Sequence, residues 1–398
     1  MKIVIIGDAF PPMNTSGAVM LRDLAAEFVN QGDSVTVIVP SSRLGNPIHE
    51  IIQDGIHIIS VRAFETKDIS YTRRMIAEFL NPFLMWARLK DHSSFLQYPV
   101  DLVIWYSPSI FWGPLVKKIK YRTKSRSYLI LRDIFPDWAV DLGLIKDKNL
   151  ALRVLRWAAS YQYQQADTIG VQSPNNLKYL SANNKLLKVK LEVLWNWVGN
   201  VSSQETCVIR LSETHLSGKK LFIYAGNIGV AQGVNTFLKV VQAFAHHADI
   251  GFVFVGRGSE IMELKKRIGN SKKDKVIFFP EIPNDQINDL YAQCDAGIIV
   301  LDGRHKTHNI PGKFASYMRS GLPVFGIVNA RNDMIGLVDS YNLGYLGSSS
   351  EPNILLAAAN NFAKDLLTDK NIQKRCVDFG NKYFDVRQAV QQIKSTAK

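Results

Sequence analysis

Residues 220–255 read KLFIYAGNIGVAQGVNTFLKVVQAFAHHADIGFVFV, which is an apolar run, a loop with glycines, a helical pattern and a second apolar run. Each apolar run is continuous and does not alternate with polar residues, as is typical of parallel strands buried on both faces of a sheet. A helix suits the connection, because two parallel strands need a long crossover between them. The stretch therefore predicts a β-α-β unit of an open α/β domain.

The same alternation of apolar runs and helical patterns extends over most of the 398 residues. The apolar runs lie at 2–7, 34–40, 56–61, 101–106, 127–132, 168–172, 190–196, 220–226, 250–256, 275–280, 296–301 and 322–328. Residues 195–218 break the alternation and gain Ser, Thr, Asn and Gly, as connecting segments do. We therefore predict an α/β fold with two Rossmann-like, doubly wound parallel-sheet domains facing a cleft.

The predicted domains are 1–200 and 201–380. Residues 381–398 are predicted to form a last helix, which could cross back to the first domain. Ligands of open parallel sheets bind beyond the carboxyl ends of the strands. The loops that follow the strands are therefore the places where we expect chemistry.

The composition is that of a globular protein with reduced thiols. The sequence is 46% hydrophobic and 21% charged, and its three cysteines, Cys207, Cys294 and Cys376, are far apart. That number and spacing fit neither a disulfide framework nor a zinc site. No apolar stretch reaches the roughly 18 residues of a spanning helix, and no signal-peptide cleavage site follows the first apolar run. We therefore predict a cytoplasmic protein.

Positive charge is concentrated between residues 71 and 126, where ten Lys and Arg face three Asp and Glu, in a chain of net charge +13. The cations are Arg73, Arg74, Arg88, Lys90, Lys117, Lys118, Lys120, Arg122, Lys124 and Arg126, and the aromatics among them are Phe79, Phe83, Trp86, Phe111 and Trp112. This pattern fits adsorption to an anionic membrane surface, and it also fits a solvated basic face over core aromatics. Nucleic acid is disfavoured, because no recognised binding module is present.

The loop after the first strand, GDAFPPMNTSGAV at residues 7–19, leads into a helix. Small residues such as Gly17 let backbone N–H groups approach a phosphate at a helix N-terminus, although Gly17 could equally shape a tight turn. No G-x-G-x-x-G pattern follows Gly7, so a dinucleotide site is disfavoured.

Two glycine-containing loops follow successive strands of the second domain. Gly226, Asn227 and Gly229 lie in the first, and the second, VGRGSE at 255–260, places Arg257 where it could pair with a diphosphate. Glycines after strands often serve packing alone. Two such loops in succession favour a nucleotide site.

Residues 302–324, DGRHKTHNIPGKFASYMRSGLPV, place five basic side chains in one strand-end loop and the start of the next helix. They are Arg304, His305, Lys306, His308 and Lys313. Cations beside a helix N-terminus can bind a leaving diphosphate, whereas a plain solvated face is the competing interpretation. We expect an exposed Lys313, whose removal costs little stability.

Acidic residues follow a buried strand of the first domain, in LRDIFPDWAVDLG at 131–143. Asp133 could orient or deprotonate a sugar hydroxyl, with Arg132 beside it, or it could cap the following turn. We favour function for Arg132 and Asp133, and a capping role for Asp141.

LRDIFPDWAVDLG, YAGNIGVAQG and HNIPGKFASYMRSGLPV occur in this order at residues 131–143, 224–233 and 308–324. These segments resemble those of the retaining family 4 glycosyltransferases of the GT-B fold. The resemblance covers essentially the whole chain. The likeness is greatest to a bacterial O-antigen and capsule branch that includes N-acetyl-L-fucosamine transferases. The resemblance implies a nucleotide-sugar donor, a polyprenyl-diphosphate-linked acceptor, retention of anomeric configuration, and neither metal nor cofactor.

The wider family carries an Arg, a Lys and a Glu-x7-Glu pair at its donor site. These positions correspond here to Asn227, Gln232, His308 and Ser316, so other cations must neutralise the diphosphate, and Lys313, Arg257 and Arg132 are the candidates. From the strand-end loops and these positions together, we predict catalytic roles for Asp133, Arg132, His308 and Lys313, and donor binding by Gly17, Gly226, Asn227, Gly229, Gln232, Arg257 and Ser316.

The expected function is transfer of a sugar, with UDP-N-acetyl-L-fucosamine as the first candidate donor, in O-antigen or capsule assembly at the inner face of the cell membrane. Two alternatives remain. One is a nucleotide-sugar epimerase of the same fold, which needs no lipid acceptor. The other is a non-catalytic paralogue that scaffolds polysaccharide assembly, which the departures at His308 and Ser316 leave open.

Overall fold

The computed structural model describes residues 1–397 apart from 14, 68, 93–95, 97–98, 142, 144, 146–149, 184–188, 200–205, 230–231, 270–273 and 304–309. The chain divides into two compact units. The first unit is Met1–Gly199 together with Val386–Lys398, and the second is Asn200–Asp385. The last helix therefore belongs to the first unit, and the second unit extends five residues beyond the expected end at 380.

The described residues of the first unit form an eight-stranded sheet in the order β3-β4-β2-β1-β5-β6-β7-β8. Its strands are β1 (Lys2–Ile6), β2 (Ser34–Ser41), β3 (Ile48–Gln53), β4 (Ile56–Arg62), β5 (Leu102–Tyr106), β6 (Arg126–Leu131), β7 (Thr168–Val171) and β8 (Lys190–Val193). Its helices are α1 (Ser16–Asn30), α2 (Tyr71–His92), α3 (Gly113–Thr123), α4 (Asp137–Asp141), α5 (Leu150–Tyr163), α6 (Pro174–Asn183) and α14 (Val386–Lys394).

The first unit has a core on each face of its sheet, because successive side chains of a strand point to opposite faces. In β1, Val4 and Ile6 belong to one core, while Ile3 and Ile5 belong to the other. Helix α14 adds Val390 to the second core, and Lys394 Nζ lies 2.7 Å from Asp33 Oδ2. Burial on both faces explains why these strands have continuous apolar sequences.

The second unit has a six-stranded sheet in the order β11-β10-β9-β12-β13-β14 among the described residues. Its strands are β9 (Lys220–Ala225), β10 (Ile250–Val255), β11 (Val276–Phe279), β12 (Ala296–Val300), β13 (Val324–Ile327) and β14 (Gly344–Gly347). Its helices are α7 (Val234–Ala243), α8 (Ile261–Ile268), α9 (Ile287–Ala292), α10 (Gly312–Arg319), α11 (Asp333–Tyr341), α12 (Pro352–Thr368) and α13 (Ile372–Tyr383). Phenylalanines such as Phe222, Phe244 and Phe325 are completely buried and pack edge to face.

All the apolar runs named above are strands, and the two sheets confirm the prediction of two doubly wound domains. Two further strands, β3 and β14, are found at sheet edges and were not predicted. Strand β3 pairs antiparallel with β4 and is almost entirely exposed, so it lacks the apolar run on which the prediction relied.

Each sheet has a point at which the strand order reverses direction. In the first unit the chain proceeds from β1 to β2 on one side and later crosses to β5 on the other side of β1. In the second unit the same reversal lies between β9 and β12. The crevice at the carboxyl ends of such a strand pair is where ligands of doubly wound sheets bind.

Candidate functional site

In the second unit, the loops after β9 and β10 pack backbone against backbone. Gly226 N donates to Val255 O (2.9 Å), and Ile228 N donates to Arg257 O (2.8 Å). At Gly256 and Gly258, φ is +144° and +150°, and a Cβ atom would lie only 2.1 Å from the carbonyl oxygen of Gly226 or of Ile228. Glycine is therefore required at both positions, so these two glycines do serve the packing of the loops.

Lys313 lies in the first turn of α10, and its side chain reaches the loop after β9. Its Nζ is 3.7 Å from the ring centroid of Tyr224, and a Cβ atom on Gly226 would lie 3.6 Å from this Nζ. The ammonium group therefore lies at the reversal point between β9 and β12. Two of the predicted donor-site residues, Gly226 and Lys313, are thus brought together.

The expectation of an exposed Lys313 is wrong, because the residue is half-buried and its ammonium group packs against the Tyr224 ring. Burial, with no neighbouring carboxylate contributing, lowers the pKa of Lys313 to about 7. The face of the Tyr224 ring attracts the ammonium group through its quadrupole, which is a weaker interaction than that with a carboxylate. A desolvated amine in this position gains most from an anionic ligand, which restores its charged form.

The other predicted residues of this site have local contacts. Gln232 Oε1 accepts from Gly229 N (3.0 Å), and the carbonyl oxygen of Asn227 accepts from the Tyr224 hydroxyl (2.8 Å). Ser316 Oγ donates to the carbonyl oxygen of Gly312, one turn earlier in α10 (3.3 Å). These bonds hold the loop and the helix start, and donor binding by these residues stays a prediction.

Arg257 follows β10, in the loop that packs against Ile228. Arg257 is largely exposed, and its Nε lies 3.1 Å from Glu281 Oε2, in an ion pair whose two side chains are mainly in solvent. Such a pair is weak, and a diphosphate could displace Glu281. The prediction for His308, together with those for Arg304, His305 and Lys306, falls outside the described residues.

In the first unit, Arg132 is buried and its side chain contacts other parts of the same unit. Its side chain is 3% exposed, one guanidinium nitrogen donates to Leu194 O (2.7 Å), and the guanidinium lies 4.7 Å from the Trp197 ring centroid. Contact with a diphosphate is therefore the weaker interpretation for Arg132, because its charge is directed into the protein. The next residue, Asp133, is half-buried and its backbone N–H donates to Ser107 Oγ (3.3 Å), so its side chain remains at the strand ends.

Gly17 lies in the first turn of α1, where a Cβ atom would approach Tyr106 Cε1 to 3.3 Å. The absence of a side chain thus allows α1 to pack closely against the end of β5. This contact accounts for glycine at the position without a ligand, and a phosphate contact stays a prediction.

Asp8 was missed by the sequence analysis. It follows β1 at the reversal point of the first sheet, and its Oδ2 accepts from Ser109 N, which follows β5 (3.3 Å). Burial and the charge of Glu78 raise the pKa of Asp8 to about 7. The only sequence signal was an acidic residue directly after a buried strand, the same signal that was used for Asp133.

The basic and aromatic residues between 71 and 126 divide into buried and exposed groups. Phe111 and Trp112 are buried, and Lys120 Nζ donates to Gln165 O (2.8 Å) and to Asp167 Oδ2 (3.1 Å), so these three residues are structural. On α3, the exposed face carries Lys117, Lys118, Tyr121 and Arg122.

Large apolar side chains are exposed on the two helices that pack beside α3. They are Tyr71, Met75, Ile76, Phe79, Leu80 and Phe83 on α2, and Leu150, Val154 and Trp157 on α5. On α5 these follow a helical spacing of four and three residues, which places them on one face. Within the described residues, no helix is both long and apolar enough to cross a membrane.

Residues 219–365 match the family described as glycosyl transferases group 1. The probable glycosyltransferase WbjE of Pseudomonas aeruginosa is 23% identical over 239 residues, which are 59% of this chain and 59% of WbjE. The putative colanic acid biosynthesis glycosyl transferase WcaI of Escherichia coli K12 is 22% identical over 233 residues, 56% of each chain. The chain thus aligns with somewhat more than half the length of these relatives.

Solved structures match over nearly the whole chain. Sucrose-phosphate synthase of Thermosynechococcus elongatus has a TM-score of 0.71 at 14% identity, covering 99% of this chain and 97% of the synthase. HepE of Anabaena, solved with UDP, has a TM-score of 0.63 at 15% identity, covering 100% of this chain and 99% of HepE. The predicted GT-B fold is therefore confirmed.

Proposed function

We propose that this chain is a metal-independent retaining glycosyltransferase that transfers a sugar from a nucleotide-sugar donor to a lipid-linked saccharide. The observation that carries the proposal is the position of the Lys313 ammonium group, 3.7 Å from the Tyr224 ring centroid and beside Gly226. It lies in the segment that matches the glycosyl transferases group 1 family, at the crevice where a doubly wound sheet binds its ligand.

In this mechanism the bond between the anomeric carbon and the diphosphate breaks through an oxocarbenium-like transition state. The acceptor hydroxyl forms the new bond on the same face of the sugar, and nucleoside diphosphate and a proton are released. Lys313 and the N-terminus of α10 neutralise the negative charge that develops on the diphosphate. Arg257 can add a second cation after leaving Glu281, and Asp133 orients the acceptor.

UDP is the proposed nucleotide. HepE of Anabaena was solved with UDP-glucose, and the pneumococcal O-GlcNAc transferase GtfA was solved with UDP and GlcNAc. The relative WcaI is named for colanic acid biosynthesis, which supports a role in polysaccharide assembly. N-acetyl-L-fucosamine is the proposed sugar, on the resemblance of the segments at 131–143, 224–233 and 308–324.

The proposed acceptor is a polyprenyl-diphosphate-linked saccharide, and the proposed location is the inner face of the cell membrane. Two features of the first unit support this location, the exposed cations of α3 and the exposed apolar residues of α2 and α5. Apolar side chains can enter the interface while the cations bind anionic headgroups.

Incubation of the protein with a UDP-sugar panel, with and without lipid-linked acceptor, tests the activity. We expect acceptor-dependent release of UDP and a product that retains the donor's anomeric configuration, measured by mass spectrometry and NMR. An isomer of the donor formed without acceptor would indicate an epimerase. Donor binding without turnover in the presence of membranes would indicate a scaffold.

A further inference from the structure

Asp8 lies at the reversal point of the first sheet, and the proposed mechanism does not use it. The loops after β1 and β5 meet there, joined by the hydrogen bond from Ser109 N to Asp8 Oδ2. Asp8 as a residue is half-buried. Its position corresponds to the ligand crevice of a doubly wound sheet.

A buried donor faces the same carboxyl group. Trp112 is 3% exposed, and its indole Nε1 has no hydrogen-bond partner of normal geometry. The indole N–H nevertheless lies close enough to Asp8 to lower the pKa of the carboxyl group. A buried N–H that lacks a well-formed hydrogen bond is unfavourable, and an oxygen atom of a ligand beside Asp8 would supply one.

The third side of the crevice is the first half of α2. Arg74 and Glu78 of this helix act electrostatically on Asp8, and they pair with each other, with Arg74 Nε 2.6 Å from Glu78 Oε1. In the same helix, Ile76 lies between Arg74 and Glu78 and Phe79 follows Glu78, and both apolar side chains are exposed. The crevice at Asp8 therefore borders an apolar helix surface.

We propose that Asp8 binds the acceptor hydroxyl that receives the sugar, with the lipid portion of the acceptor lying on the exposed apolar residues of α2. This inference rests on the proposed transfer to a lipid-linked saccharide. Ionised Asp8 accepts a hydrogen bond from the hydroxyl, and the Trp112 indole N–H donates to a neighbouring oxygen of the acceptor. Together they fix the direction from which the hydroxyl attacks.

The charge state of Asp8 gives this role a signature. Burial and Glu78 raise the pKa of Asp8 to about 7, and the Ser109 N–H, Arg74 and the Trp112 N–H act in the opposite direction. The remaining titratable neighbour, Tyr106, has a pKa raised to about 12 and stays neutral. Because the ionised carboxyl is a much stronger acceptor for the hydroxyl than the neutral acid, kcat/KM for the acceptor should rise with pH through about 7.

The test is the rate of transfer to a lipid-linked acceptor at saturating UDP-sugar, where bound diphosphate keeps Lys313 charged. Asp8→Asn should lower kcat/KM for the acceptor by roughly 10- to 100-fold, as expected for a lost hydrogen bond to a charged group, and remove its rise with pH. UDP affinity should not change, and Tm should not fall, because the neutral amide removes the cost of burying an ionised carboxyl. Asp54→Asn, at an exposed turn of the same unit, is the matched control.

Glu78→Gln keeps Asp8 and removes a repelling charge, so the rise of kcat/KM should move to lower pH. A structural carboxyl group would not produce this shift, so an unmoved profile overturns the role of Asp8 even if Asp8→Asn fails to fold. Normal acceptor kinetics in Asp8→Asn also overturn it. If the wild-type protein binds UDP but transfers to no acceptor, the proposed function fails and this role fails with it.

Discussion

Lys313→Met is expected to lower sugar transfer by roughly 100- to 1000-fold, because it removes a preorganised charge at the leaving diphosphate. Methionine is the appropriate substitution, since its side chain is of similar length and can keep the packing against Tyr224. The fold should be retained. Initial rates at saturating donor measure the loss, and UDP titration by calorimetry measures the change in affinity.

The titration of Lys313 should make both the stability of the protein and its affinity for UDP depend on pH. The pKa is about 7 in the folded protein and 10.5 for an ordinary lysine, so the unfolded state binds more protons between these values. The stability of the ligand-free protein should therefore rise with pH across this window, and Lys313→Met should remove that rise. UDP affinity should fall as pH increases through about 7, because the neutral amine no longer attracts the diphosphate.

Lys265→Met is the matched control, since Lys265 also lies over an aromatic ring of the second unit, with Nζ 5.3 Å from the Phe278 ring centroid. It belongs to α8, beside the edge strand β11, and should leave both transfer and UDP affinity unchanged. Equal transfer by wild type and Lys313→Met at saturating donor would remove Lys313 from the mechanism.

Reversal of Lys117, Lys118 and Arg122 to Glu should reduce binding to anionic liposomes by roughly 100-fold at low salt, at about 1 kcal/mol for each cation. These three side chains share the exposed face of α3. Lys120 is left unchanged, because its contacts with Gln165 and Asp167 stabilise the unit. Co-sedimentation with phosphatidylserine vesicles at increasing ionic strength measures the effect.

The exposed apolar residues of α2 and α5 should account for the membrane binding that remains at high salt, because salt screens charges but does not weaken the insertion of apolar side chains. Trp157→Ser, at an exposed position of α5, should reduce that part alone. The matched control reverses Lys266, Lys364 and Lys370, which are exposed on the second unit. If the α3 reversal sediments like wild type, or if the control loses binding equally, the surface of α2, α3 and α5 is an ordinary solvated face.

Local sequence was sufficient for the strands and for the position of Lys313. Continuous apolar runs identify strands buried on both faces, and a strand end followed by a helix start brings Gly226 and Lys313 to one crevice. The exposed edge strand β3 has no such run, so nothing in its sequence distinguished it from a loop.

Environments set by distant residues could not be predicted in this way. In the sequence Arg132 has the pattern of a functional cation. In the structure its guanidinium donates to the carbonyl oxygen of Leu194, which is 62 residues later in the chain. Asp8 acquires its raised pKa from burial and from Glu78, on a helix that no local pattern places beside Asp8. Lys120 likewise differs from the exposed cations of α3 through its contacts with Gln165 and Asp167, which are distant in sequence.

A crystal structure of the protein with UDP tests the central claim, that the second unit binds the nucleotide. We expect the diphosphate to contact the loop at Gly226 and Asn227 and the ammonium group of Lys313, with the neighbouring loop at Gly258 behind them. UDP held chiefly by residues 1–199, with Lys313 still packed on Tyr224 and unchanged, would contradict the account.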